Sequence, residues 1–189
     1  MSSKDEIKAI LQACAKNDRK AQEKLFKLFY GKMLYVCLRY TNDRDTAQEI
    51  VQEGFIKVFE KISSFDLLGS FDAWIKRVMV NTSIDYLRKN KKHAFTELND
   101  NHSDTFNDEI SVMADEIQYE MQREMALESI QELSPAYRTV FNLYFVEDYS
   151  HKEIAERLGI SEGTSKSNLA KAKIRLKQIV ARKIGKETE

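Results

Sequence analysis

Proline occurs once in these 189 residues and glycine six times. Little therefore interrupts a helix, and long helices are permitted almost everywhere. Strand-like alternation of apolar and polar residues is also scarce. The two cysteines, Cys14 and Cys37, sit in helical patterns with no CxxC or Cys/His spacing. They read as buried thiols in a reducing compartment. His93, His102 and His151 are scattered, so no metal site is expected. The N-terminal MSSKDEIKAILQ lacks a charged-then-apolar leader, and no apolar run approaches membrane-spanning length. The expected location is cytoplasmic. A nucleotide loop and a nucleophile triad are both missing, so an enzyme reading has no supporting constellation. No cofactor and no small-molecule substrate are expected.

What is there is helical periodicity. Leu25, Phe26, Phe29 and Met33, then Leu34 and Leu38, recur at three and four residues. The pattern predicts helices over 5–15, 19–40, 43–61 and 71–90. Their core supply includes Leu25, Phe26, Phe29, Tyr30, Leu34, Ile50, Val51, Phe55, Ile56, Val58, Phe59, Trp74, Ile75, Val78 and Met79. Residues 91–115 are polar, acidic and poor in aliphatics, which fits a mobile linker. Helix resumes near Glu116 and runs to about Glu132. Ser134 and Pro135 then suit an N-cap and first helical position, opening a helix over 136–146. The expected fold is all-α: two small helical domains, 1–93 and 120–184, joined by a flexible acidic linker, 94–119, with a tail at 185–189.

The formal net charge of zero hides a division. Residues 1–93 carry 18 basic against 12 acidic side chains, 94–124 carry 1 against 9, and 125–189 carry 11 against 9. Two basic modules flank an acidic connector, and both could face a polyanion.

The stretch SHKEIAERLGISEGTSKSNLAKAKIRLKQIVARK, residues 150–183, has the form of a helix-turn-helix. Ser150 and Glu153 suit a capping box. Ile154 and Leu158 share a face beside the small Ala155. Gly159 can take the left-handed conformation that ends a helix, and Ser161 can cap the next. From Gly163 to Lys186 there are eight Lys or Arg and no acid. A cationic helix in such a module is the usual footprint of major-groove reading. A helical hairpin with a solvated lysine face is the plainer alternative.

In the helix from Phe71, the residues Arg77, Asn81, Asp85 and Arg88 form a narrow stripe, with Trp74 near its edge and Lys89, Lys91 and Lys92 beyond. Asn pairs with base edges, Arg holds phosphate, and aromatics stack on unpaired bases. Trp74 equally suits a core position, and the arginines a solvated face. The preceding SSFDLLGSFD, residues 63–72, is unusually apolar for a loop. It could hold a base removed from the stack, or fold back on the core. On the helix over 43–62, Gln48, Gln52 and Glu53 are neutral or acidic on a basic domain. That face suits a protein partner better than DNA, or is simply solvated.

Two segments resemble the sigma-70 family, specifically its extracytoplasmic function (ECF) group. AQEIVQEGFIKVF with FDAWIKRVMVNTSIDYLRK is similar to the family's second conserved region. LSPAYRTVFNLYFVEDYSHKEIAERLGISEGTSKSNLAKAKIRL is similar to its fourth. The absence of a third region is typical of that group. The resemblance implies a factor that binds bacterial core RNA polymerase through its largest and second-largest subunits, recognises promoter DNA and helps open it. It assigns Gln48, Glu49, Gln52 and Glu53 to the polymerase clamp. Phe65, Phe71, Trp74, Arg77, Asn81, Arg88 and Lys89 fall to the −10 element, where the loop and Asn81 capture a flipped base. Thr164, Lys166, Ser167, Asn168 and Lys171 fall to the −35 element. It also implies an anti-sigma factor, often membrane-anchored, as a partner. The acidic linker would then occupy a positively charged channel until RNA displaces it.

Two features depart from the family pattern. Ser165 stands where a branched apolar residue is expected, and Leu133-Ser134-Pro135 replaces Leu-Pro. Two competing readings remain: a free-standing repressor or activator, which leaves residues 43–92 without a task, and a helical adaptor with incidental charge.

Overall fold

The computed structural model describes residues 3–90 and 116–186. The expected linker lies largely outside the described residues, as does the end of the tail. Among the described residues there are eight α-helices, one short 3-10 turn and no strand. The helices are α1 (Ser3–Cys14), α2 (Arg19–Leu38), α3 (Arg44–Lys61), α4 (Phe71–Asn90), α5 (Glu116–Gln131), α6 (Pro135–Phe145), α7 (His151–Leu158) and α8 (Glu162–Lys186). The fold is all-α, as expected. Two compact units divide at Tyr86–Leu87, near the end of α4.

Local chemistry sets most boundaries. Asp18 caps α2 by accepting from the Ala21 N–H at 3.0 Å, and Asp43 caps α3 through the Thr46 N–H at 2.7 Å. Each satisfies a backbone donor that the first turn leaves without an intrahelical partner. Ser70 accepts from the Ala73 N–H at 3.4 Å at the start of α4. Ser134 and Pro135 begin α6 as expected.

The first unit buries one face of each helix. Leu25, Phe29 and Met33 of α2, Ile50, Val51 and Val58 of α3 and Ile75 and Met79 of α4 are all at most 7% exposed. Cys14 and Cys37 are buried free thiols. Burial, eased slightly by Ser83 and Arg39, pushes the Cys37 thiol up to about 12, so it is inert as a nucleophile at neutral pH. Gly54 lets α4 approach: a Cβ there would collide with the Met79 thioether.

Ile56 corrects the expected core. It is 59% exposed. At 100° per residue it points away from Ile50, Val51, Phe55 and Val58.

The second unit buries Leu133, Ala172 and Ile179 with Tyr137, Phe141 and Leu176 packed against them. Arg138 is buried there at 1% exposure. It donates to the Leu133 carbonyl at 2.9 Å, and burial lowers its guanidinium to about 10. It therefore stays charged at neutral pH and holds the start of α6 to the chain that precedes it.

Gly54→Val should lower stability by about 1–3 kcal/mol, the range for overpacking a filled core. Urea unfolding of the full chain measures it. An unchanged midpoint would show that Met79 moves aside freely.

Candidate nucleic-acid interface

The outward stripe of α4 forms as the periodicity predicts. Arg77, Arg88 and Lys89 are exposed, and Trp74 and Asn81 are half-buried. Phe71 differs. It is 6% exposed and packs edge-on against Phe29 of α2 at 5.2 Å. It is thus a core residue that anchors α4, not a surface for a base. Phe65 is half-buried and joins it, with ring centroids 5.4 Å from Phe71 and 5.3 Å from Trp74. The apolar loop therefore divides. Phe65 folds back onto Phe71 and Trp74, while Leu68 stands 91% exposed. A tight turn presents it: Asp66 accepts from the Leu68 N–H at 3.0 Å and from the Gly69 N–H at 2.9 Å. Leu67 and Leu68 are the apolar tip that the site-residue reading passed over, though the loop's composition pointed to them.

On α3, Glu49 and Gln52 are exposed, and Gln48 and Glu53 are half-buried. Ile56 lies one turn beyond Gln52 on that outward side. Lys57 binds Glu53 at 2.9 Å and Asp85 of α4 at 3.5 Å. One ammonium therefore links the polar face of α3 to the stripe of α4.

The helix-turn-helix has the expected caps. Ser150 and Glu153 exchange both capping-box bonds, and Gly159 takes φ 68°. Ser161 accepts from the Thr164 N–H at 3.0 Å. On α8, Lys166 and Ser167 are exposed, and Thr164 and Lys171 are half-buried. Asn168 is 3% exposed. It shares the inward side with Ser165 and Leu169, so it cannot offer its amide to a base edge from this position. Gly163 and Ala170 are exposed beside Lys166 and Ser167. Their small size permits a close backbone approach, a cue that charge-centred reading overlooked.

The cationic run is not all available to a polyanion. Arg182 binds Glu132, while Lys183 binds Glu128 at 2.6 Å and Glu132 at 3.4 Å. These pairs hold the C-terminal part of α8 to α5 and the residue after it. Lys166, Ser167 and Lys173 stay exposed towards the other end.

Sigma-70 region 2 matches residues 25–93, and sigma-70 region 4 matches residues 123–176. This chain belongs to the sigma-70 family. It is 27% identical over 178 residues to the ECF RNA polymerase sigma factor SigW of Bacillus subtilis, covering 91% of this chain and 95% of that one. It is 27% identical over 165 residues to SigM of the same organism, covering 87% and 98%. A solved co-crystal of the sigma factor RpoE with the anti-sigma factor NepR from Bartonella quintana aligns with 84% of this chain and 96% of its own. Its identity is 18% and its TM-score 0.47. The protein is a sigma factor of the ECF group, acting in promoter recognition and transcription initiation.

His151 of this sigma factor yields a test. Burial holds its imidazole below the ordinary 6.5; Lys166 and Lys173 lower it further and Glu162 opposes them. A depressed imidazole contributes stability that is fully present above 6.5 and is lost as pH falls through the folded value. The melting temperature of the second unit should therefore fall below pH 6.5, before the paired carboxylates titrate. His151→Asn should remove that part of the fall in a pH series of thermal melts. The same fall in the variant would contradict it.

Proposed function

We propose that a first domain carries both the polymerase contact and the −10 contact, and a second domain the −35 contact. The domain bounds are 1–93 and 120–184, with 94–119 as the linker. Gln48, Glu49, Gln52 and Glu53 face the clamp of the largest polymerase subunit. The exposed Ile56 among these polar side chains is the observation that carries this reading. A lone large aliphatic on a polar helix face is ordinary, but its position beside Gln52 gives a docking helix an apolar centre and a polar rim.

The stripe of α4 supports contact with single-stranded promoter DNA. Arg77, Arg88 and Lys89 suit phosphates, and Asn81 suits a base edge. Phe65 and Trp74, still partly accessible, offer a stacking surface. Unstacking duplex DNA costs a few kcal/mol per step. Stacking and phosphate contacts offset that cost, and no bond to DNA is made or broken by the factor. The nucleotidyl transfer belongs to the polymerase, and the factor is not itself an enzyme.

Thr164, Lys166, Ser167 and Lys171 support −35 reading in the major groove. No helix among the described residues is long and apolar enough to cross a membrane. The factor works in the cytoplasm with polymerase, and an anti-sigma factor covers its polymerase-binding surfaces when it is inactive.

Ile56→Lys should weaken binding to purified core polymerase about tenfold, near 1.4 kcal/mol, with the melting temperature unchanged. Fluorescence titration of labelled factor with core measures it. Unchanged affinity would remove α3 from the polymerase contact.

A further inference from the structure

Ser165 occupies a position where the family pattern calls for a branched apolar side chain, and it is 0% exposed. A buried hydroxyl with no partner is costly. Here it meets the His151 Nδ1 at 2.9 Å. His151 is the first residue of α7, and the capping box on either side of it pins its backbone. Its ring stacks on Tyr144 of α6, with centroids 4.8 Å apart and planes 25° apart. Three helices thus converge on one polar contact.

We infer that His151 is a positioning residue for the DNA-reading turn of α8, acting through Ser165. The inference rests on α8 being the −35 reader. The hydrophobic driving force is non-directional, and the interdigitation of core side chains restrains a helix's rotation. A hydrogen bond is directional and also fixes how the helix is turned about its axis. Residues 166 and 167 lie about 100° and 200° round α8 from Ser165. Holding Ser165 inward towards His151 therefore holds Lys166 and Ser167 outward, where both are exposed. Tyr144 of α6 stacks on the imidazole, and Glu162, Lys166 and Lys173 of α8 act on it through their charges. Burial, helped by the two cations, holds the imidazole below its ordinary value and so favours the neutral ring. His151 needs no contact of its own with DNA.

The test uses holoenzyme assembled from core polymerase and the full chain. Two templates share one promoter that this holoenzyme transcribes, one with its −35 element intact and one with it scrambled. The readout is the ratio of transcripts. Ser165→Ala and His151→Phe should each reduce the ratio about fivefold or more, the low end of discrimination by one base contact. Transcription from the scrambled template should persist, which separates misplacement from unfolding. His151→Asn, which keeps a hydrogen-bonding atom near the place of Nδ1, should keep the wild-type ratio. An undiminished ratio in Ser165→Ala would overturn the inference, as would a loss in His151→Asn equal to that in His151→Phe. A wild-type ratio near one would instead overturn the −35 reading on which it rests.

Discussion

A helix packed on one side buries only part of its circumference, and the described residues of this chain lie almost wholly in helices. That constraint governs every surface described above. In α3 the side bearing Ile50, Val51 and Val58 is committed to the core, so Glu49, Gln52 and Ile56 are left outward. In α4 the commitment of Phe71, Ile75 and Met79 leaves Arg77, Asn81 and Arg88 outward. In α8 the inward Ser165, Asn168 and Leu169 leave Lys166 and Ser167 outward. The functional faces are the complement of the core, and core packing sets their orientation within each unit.

Two different means seat the helices. In the first unit the contact is steric. Gly54 forgoes helix propensity, about 1 kcal/mol relative to alanine, and makes room for the Met79 thioether. Lys57 adds an ionic link between α3 and α4 beside it. In the second unit the contact is partly polar, through Ser165 and His151, and the far end of α8 is tied by Arg182 and Lys183 to the acids near the end of α5. Part of the positive charge of α8 is therefore structural. Lys166 and Lys173 stay exposed nearer the start of the helix.

Much of this was legible in the residues. Helix positions followed from the three- and four-residue spacing, and the caps at Ser134, Ser150, Gly159 and Ser161 followed from local hydrogen-bonding chemistry. Those signals are short-range. The differences from expectation have two sources: contacts with distant residues, and the phase of a residue on its own helix. The resemblance assigns Phe71 to the −10 element, but Phe29, over forty residues away, covers it. The resemblance assigns Asn168 to the −35 element, yet its place on α8 turns it inward. Ile56 suits a core by type, though its angle on α3 turns it outward. The His151–Ser165 contact joins residues fourteen apart on two helices, and nothing in the local pattern of either announces the other.

The most direct measurement is transcription by purified bacterial core polymerase on a pooled promoter library, with and without this protein. The account predicts new transcripts whose start sites share two upstream elements, at the −10 and −35 positions. Binding of the protein alone to duplex DNA, with no binding to core and no new transcripts, would contradict it.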